Sequence, residues 1–307
     1  MSKLVIALTL LTLTFADFLG AQQGPPVDAG ALNKQAQQLE SDGKLKEALT
    51  IFHRILEKDQ ANVTAHLGIG RVLDIEGQYA EARQHFQKAI DAASQSEMNG
   101  ALSAMAISYA FEGNAADAAK YYGKLIDRQL SSGATEAAGG AANGLGRVYL
   151  ETGDTPNAEK WYRTGYESAL KNQERTPEQT DLAEMRWHHA QARIAARRKQ
   201  FDVARKHVGE VRALVERGRL PAAQQAQYPH VAGYVAFYEE EYDKAIAELS
   251  KADQEDPFIL SLLAQAYEHK PDIAKARELY TRILGMPDHS LQAAFARPLA
   301  ARRLAAH

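Results

Sequence analysis

The chain has 307 residues, of which 45% are hydrophobic and 24% are charged, a composition typical of folded proteins that excludes general disorder. Its net charge of −3 at pH 7 gives no overall attraction to nucleic acid or to an anionic membrane. The lack of cysteine excludes a disulfide framework and a lipid-attachment cysteine. Alanine, glutamine, glutamate and arginine are frequent and β-branched runs are few, which favours helices along most of the chain.

The N-terminus has the features of an export signal. Lys3 precedes an apolar run over 4–15, which is too short to cross a bilayer comfortably, and the small residue Ala21 follows. We predict a signal peptide over 1–21, cleaved at its end; cleavage after Ala16 and an uncleaved membrane anchor are the alternatives. Because secreted eukaryotic domains often carry disulfides, the cysteine-free chain is predicted to be a periplasmic or secreted bacterial protein.

A predicted flexible linker over 22–30 is followed by four copies of one pattern. In each copy a turn glycine is followed five residues later by an alanine, and an aromatic residue comes four residues after that. The copies are Gly43/Ala48/Phe52, Gly77/Ala82/Phe86, Gly113/Ala118/Tyr122 and Gly153/Ala158/Tyr162. The turn glycines are 34, 36 and 40 residues apart, and such a period indicates one repeated supersecondary unit.

The second copy shows best why the pattern predicts a pair of helices. The segments 62–74 and 79–92 are joined at Gly77, which suits the left-handed position that ends a helix. Ala82 is small, as required where two helices of a pair cross closely. Phe86 then lies on the face of the second helix that is predicted to be buried.

These positions resemble the tetratricopeptide repeat, a helix–turn–helix of about 34 residues. The residues that carry the resemblance in the second copy are Gly70, Leu73, Gly77, Tyr79, Ala82, Phe86, Ala89 and Ile90. The resemblance implies an all-α fold: a right-handed α-solenoid whose first helices line a concave side and whose second helices form a convex wall. It assigns repeats 1–4 to residues 31–172.

The register loosens after the fourth copy, and we predict degenerate repeats 5–7 over 173–288. A capping box that starts at Thr176 predicts the beginning of a helix, and Pro229 predicts a late start or a kink in a first helix. Residues 289–307 are predicted to form a C-terminal capping helix, bent at Pro298, that covers the last apolar face, since repeat arrays need a solvated end.

No sequence motif of an enzyme or of a metal site stands out. The chain lacks H-E-x-x-H, G-x-S-x-G and a phosphate-binding loop. His188 and His189 are neighbours on a helix and point about 100° apart, so they cannot both hold one ion. The glycine-rich stretch 139–146 is interpreted as helix packing. We therefore predict no catalytic residue, no metal and no cofactor; a hydrolase acting at the groove is the least favoured hypothesis.

Alignment of the repeats predicts a partly basic groove. Arg71, Arg147 and Arg193 fall at one equivalent position of the first helices, and guanidinium forks suit carboxylates and peptide carbonyls. The residues predicted to form a peptide-binding groove are Arg71, Asn143, Arg147, His189, Arg193, Arg197, His230 and Tyr234. Alternatively, the arginines pair with local acids such as Asp74 and Glu151 and keep the groove soluble.

The resemblance also allows one known function to be set aside. Some family members hold the C-terminal carboxylate of chaperones with two asparagines and basic residues from adjacent repeats. Here Gln37 stands where an asparagine is needed, and Ser103 and Ala104 stand where basic residues are needed. Binding of chaperone tails is therefore not predicted.

The leading functional hypothesis is an exported, non-catalytic scaffold that binds a protein or peptide in its concave groove. We expect no nucleic-acid partner and no stable membrane insertion once the signal is removed. The alternative is a structural accessory subunit of a bacterial envelope or secretion assembly, which would use its convex or terminal surfaces.

Overall fold

The computed structural model describes residues 28–171 and 174–306. Within these ranges the chain forms fifteen α-helices and one short 3₁₀ helix, and no strand. The helices are α1 (Ala29–Ser41), α2 (Leu45–Leu56), α3 (Val63–Ile75), α4 (Tyr79–Ala92), α5 (Met98–Phe111), α6 (Ala115–Ser131), α7 (Thr135–Glu151), α8 (Thr155–Leu170), α9 (Pro177–Arg197), α10 (Phe201–Glu216), α11 (Gln227–Tyr238), α12 (Tyr242–Leu249), α13 (Pro257–His269), α14 (Ile273–Gly285) and α15 (Leu291–Ala306). The 3₁₀ helix, Ala222–Gln224, precedes α11.

The helices from α1 to α14 form seven antiparallel pairs. Each pair packs on the next, and first helices also touch across repeats, as in α1–α3, α3–α5, α9–α11 and α11–α13. The first helices therefore form an inner layer and the second helices an outer one. The predicted all-α repeat solenoid is confirmed.

The predicted N-terminal segments are only partly within the described residues. The signal peptide at 1–21 and most of the linker at 22–30 lie outside them. The linker prediction is wrong for its last two residues, because α1 begins at Ala29. The Asp28 side chain accepts hydrogen bonds from the amides of Gly30 and Ala31 at 2.9 and 3.2 Å, which satisfies amides that have no partner inside the helix.

The same turn joins the two helices of well-matched and degenerate repeats. Gly77 has φ +83°, and the next amide, on Gln78, donates to the Leu73 carbonyl at 2.8 Å, closing the helix end. Lys199 and Glu240 take the equivalent left-handed position with φ 58° and 64°. The fifth and sixth repeats thus keep the turn and lose only its glycine.

Two features predicted after the fourth copy are also present. Thr176 and Gln179 form the reciprocal capping box at the start of α9, with bonds of 3.2 and 2.9 Å. Pro229 lies in the first turn of α11, which begins at Gln227. The late helix start predicted from this proline is confirmed, since a proline in the first turn removes no helical hydrogen bond.

The C-terminal helix does more than cap the last pair. As predicted, α15 packs on α13 and α14, but it also crosses the inner layer to α5 and α7. Arg297, buried on α15, donates to the carbonyls of Ile283 and Met286 beside it and of Ile75 on α3, at 3.0, 2.8 and 3.0 Å. Just before α15, His289 Nε2 lies 2.8 Å from Asp74 Oδ2. The two halves of the array are thereby joined.

Close helix contact depends on small residues such as Gly70, which lies on α3 against the buried ring of Phe86. A methyl group at Gly70 would overlap that ring. We expect Gly70→Ala to lower the free energy of unfolding by about 1–3 kcal/mol, as measured by urea denaturation.

The matched control is Gly123→Ala in α6, where a methyl group meets no atom within 4 Å. This change should raise stability by about 0.5–1 kcal/mol because alanine favours the helix. Equal effects of the two substitutions on the free energy of unfolding would show that a methyl group at Gly70 does not disturb the packing of the helices.

Candidate functional site: a basic cavity on the inner face

Five of the eight predicted groove residues line one cavity of about 430 Å³. They are Asn143 and Arg147 on α7, His189 and Arg193 on α9, and His230 on α11. Within α7 and α9 the two residues are four apart, so they lie on the same helical face. Helix α9 packs on α11, and the side chains of α7 meet those of α9 and α11 at the cavity that all three helices line.

Two of the arginines are held by protein groups. Arg193 is 5% exposed; it donates to the Tyr162 hydroxyl at 2.7 Å and lies 3.8 Å from a carboxylate oxygen of Glu151. Arg197 contacts the same carboxylate at 3.5 Å and donates to the Tyr238 hydroxyl at 2.7 Å. The alternative prediction, pairing with Glu151, is therefore observed for both.

Arg147 differs from these two arginines. Its guanidinium lies over the Phe258 ring, 4.6 Å from the centroid, which indicates a cation–π contact. Its Nε and Nη2 atoms are buried and have no hydrogen-bond partner among residues 28–171 and 174–306. A buried donor without a partner costs about 1–3 kcal/mol, a cost that a hydrogen bond to a ligand would remove.

The two histidines lie edge to face, with ring centroids 4.9 Å apart. His189 is 7% and His230 4% exposed, and the Nε2 atom of each lacks a hydrogen-bond partner in the described part of the chain. Burial, followed by the nearby arginines, lowers the pKa of both well below the usual 6.5. Both rings are therefore neutral at pH 7, and each can accept or donate one hydrogen bond at Nε2.

The remaining predicted residues lie elsewhere. Tyr234 is fully buried behind the cavity, between Arg193 and Phe258, so it supports the cavity wall and presents no surface to a groove. Arg71 is on α3, where it binds Glu40 through two bonds of 2.5 and 2.6 Å. Arg71 thus pairs with a local acid, as in the alternative prediction, but the acid is Glu40; Asp74, which was named as an example, binds His289 and Ser108.

A second cavity, which the sequence analysis missed, adjoins the first. It measures about 740 Å³ and lies between α7, α8 and α9. Tyr166 and Trp187, whose rings stack at 5.2 Å, form part of its wall together with Leu182. The residues that line both cavities are Gly140, Asn143, Tyr162 and Arg186.

The glycine-rich stretch 139–146 has two roles. Gly139 lies against the Gly165 carbonyl and Gly146 against Tyr162, as the packing interpretation predicts. A side chain at Gly140 would enter open space, so this glycine widens the junction of the two cavities. Glycine inside a helix is unfavourable by about 1 kcal/mol. Several glycines in one helix were therefore the sequence signal that could have indicated a cavity here.

The described part of the chain contains no group of three His, Asp or Glu side chains arranged as metal ligands. His188 turns away from His189, and its Nδ1 atom lies 2.8 Å from that of His207 on α10. The two adjacent histidines thus point to different places, as predicted. None of the described helices is long and apolar enough to cross a membrane.

Comparison with known proteins agrees with this architecture. The pattern described as "Tetratricopeptide repeat" matches residues 19–97, 103–169 and 230–290. The chain belongs to the tetratricopeptide-repeat family. The unmatched residues 170–229 include α9 and α10, so this pair keeps the fold of the family although the family pattern does not match it. No curated protein sequence matches the chain.

Solved structures share the fold at low sequence identity. A tetratricopeptide repeat protein from Parabacteroides merdae is 14% identical with a TM-score of 0.54, over 89% of this chain and 98% of that one. A putative kinesin light chain from Podospora anserina with nearly identical repeats is 14% identical with a TM-score of 0.51, over 62% of this chain and 95% of that one. At such identities the likeness shows the fold alone.

The Glu151 carboxylate is the counter-charge of Arg193 and Arg197 next to the cavity, and the Glu151 side chain is 6% exposed. We expect Glu151→Gln to lower the free energy of unfolding by about 3 kcal/mol, because it leaves Arg193 and Arg197 without a counter-charge. Thermal and urea denaturation measure the effect.

Glu216→Gln is the matched control, since the Arg212–Glu216 pair is exposed. It should change stability by less than about 0.5 kcal/mol. If Glu151→Gln changed the free energy of unfolding as little, Glu151 would not be the counter-charge that Arg193 and Arg197 require.

Proposed function

We propose that this protein is a non-catalytic scaffold that binds a segment of another protein on its inner, concave face. The supporting observation is that this face already accommodates a helix, α15 of the same chain, against α5 and α7. The small residues Ala293 and Ala294 of α15 pack into the same apolar cluster as Leu102 and Ala106 of α5. A surface that packs a helix in this way suits an incoming helix or extended segment.

The part of the inner face that α15 leaves uncovered is open to a partner, and it lies beside the first residues of α15. Leu291 and Gln292 of α15, Gln227 of α11 and Arg147 of α7 surround the smaller cavity. Arg147 provides unpaired donors there, which suit a carboxylate or a main-chain carbonyl of the bound segment. The predicted groove residues Asn143, Arg147, His189, Arg193 and His230 would line this site, with Arg197 and Tyr234 behind it; the structure gives Arg71 no part in it.

A second candidate is the accessory subunit that uses its convex surface. Three large apolar side chains are exposed in the described part of the chain, namely Leu130, Val203 and Ile273. All three lie on second helices, α6, α10 and α14, and so on the outer layer. Because α15 covers part of the inner layer, this observation favours an outer binding surface as the alternative.

Site-specific photo-cross-linking distinguishes the two surfaces. A photoreactive phenylalanine analogue placed at Gln227 reports on the inner face, and the same analogue at Val203 reports on the outer face. In the native cell we expect a discrete protein adduct from Gln227 and none from Val203, as resolved by electrophoresis and mass spectrometry. Adducts from Val203 alone would replace the concave-groove proposal by the convex one, and adducts from neither position would contradict both.

We further propose that residues 1–21 direct export to the periplasm or the medium of a bacterium. The support is the order of a basic residue, a short apolar run and the small residue Ala21. Cell fractionation with intact-mass measurement should find the protein outside the cytoplasm and beginning at Gln22. A full-length mass in the membrane fraction would instead support the uncleaved anchor.

A further inference from the structure

We infer that the two joined cavities form a binding site for a small organic anion with an apolar body, such as an acyl or aryl carboxylate. This inference does not depend on the proposed scaffold function, although it assigns the Arg147 donors to a small molecule rather than to a bound segment. It rests on buried polar groups without partners, on the charges around them, and on the shape and lining of the adjoining cavity.

The smaller cavity presents several unused hydrogen-bonding atoms at one place. Arg147 contributes Nε and Nη2, while His189 and His230 each contribute Nε2, and none of these atoms has a partner within the described residues. Both histidines are more than nine-tenths buried. Arg193 Nε is a fifth such atom on a residue that lines this cavity. Buried polar atoms are nearly always paired in folded proteins, so this cluster of unpaired atoms indicates a ligand site.

The charges around the cavity favour an anion. Three arginines line it, Arg147, Arg186 and Arg193, against one acid, Asp256. The Asp256 carboxylate is used as the cap of α13, where it accepts the amides of Phe258 and Ile259 at 2.8 and 3.3 Å. Glu151 lies behind the wall with Arg193 and Arg197. Arg147 makes no direct salt bridge among the described residues, although its charge opposes the rise in pKa that burial causes at the Asp256 carboxyl. With Arg193 balanced by Glu151, Arg147 and Arg186 face the single charge of Asp256, and a carboxylate matches the guanidinium fork.

The larger cavity supplies the place for an apolar body. Its wall includes the stacked rings of Tyr166 and Trp187, with Leu182 and Ala183 beside them. It shares lining residues with the basic cavity, among them Gly140, where a Cβ would meet no atom within 4 Å. Volumes of about 300–1,000 Å³, with apolar walls and a few fixed polar groups, are typical of small-molecule sites. Both cavities, of about 430 and 740 Å³, lie in this range.

The burial of the donors favours a small molecule over a folded partner. His189, Arg193 and His230 are 7%, 5% and 4% exposed, so a ligand reaches them only by entering the cavity. A protein surface cannot do so, although the end of a peptide chain can. The experiment below therefore includes a peptide as a competing source of the carboxylate.

Decanoate, well below its micellar concentration, is the probe, and isothermal titration calorimetry on the full-length protein is the measurement. We expect one decanoate per chain. Decanol, which has the body without the charge, should bind at least about tenfold more weakly, since a charged hydrogen bond contributes about that factor. Acetate, which has the charge without the body, should also bind at least about tenfold more weakly, because the burial of the alkyl chain is lost.

Two variants test where decanoate binds. Arg147→Gln removes the positive charge of Arg147. Gly140→Leu adds a side chain to the wall that the two cavities share, at a position where a Cβ meets no atom within 4 Å. Each should weaken binding about tenfold or more while circular dichroism and the melting temperature remain those of a folded protein. Gly209→Leu, at an exposed and open position on α10, is the matched control and should leave binding unchanged.

Three results would overturn the inference. The first is no binding of decanoate, and the second is binding that neither Arg147→Gln nor Gly140→Leu weakens, which would indicate adsorption elsewhere. The third is binding only of a short peptide with an apolar C-terminal residue and a free carboxylate, which would assign the cavity to a protein segment. None of these results decides the cross-linking from Gln227 against Val203, so failure of this inference is distinguishable from failure of the scaffold proposal.

Discussion

The array depends on the close approach of helices at positions where side chains are small. Ala48, Ala82, Ala118 and Ala158 are all completely buried, each one turn before the aromatic residue that fills the space beside it. A single pair of helices buries too little apolar surface to be stable in water. Each added pair contributes a further apolar interface, at about 25 cal/mol per Å² removed from water. The spacing set by these alanines and by glycines such as Gly70 therefore determines whether the repeats stack at all.

The same spacing explains how much of the fold could be predicted from the sequence. Small and aromatic residues recur locally, so the pairing and the turns follow from neighbours in sequence, and the capping box at Thr176 is local as well. The regular turns of repeats 5 and 6 were obscured because Lys199 and Glu240 adopt a left-handed conformation that usually indicates glycine. The path of α15 could not be predicted, because it depends on long-range contacts such as those of Arg297 with Ile75.

The candidate site could be predicted only in part, because its surroundings also depend on contacts between residues far apart in the sequence. Helical periodicity places Asn143 with Arg147 and His189 with Arg193 on common faces, and repeat alignment brings those faces together. Which arginine lacks a salt bridge depends on contacts between distant repeats, such as that of Phe258 on α13 with Arg147 on α7. Arg71, at an equivalent position of the repeat, is instead satisfied by Glu40. Equivalent positions in a solenoid thus share direction but not surroundings.

The polar cavity is also unfavourable for stability, and this bears on its role. Apolar residues of similar volume at a buried charged site often leave a protein equally or more stable, whereas buried unpaired atoms cost about 1–3 kcal/mol each. A chain that needed only to stack helices would gain from leucine or alanine at His189 and His230. Their presence beside Arg147, in a cavity widened by Gly140, departs from the packing that stabilises the other repeats. Departures of this kind concentrate at functional sites, which supports a ligand-binding role for this cavity.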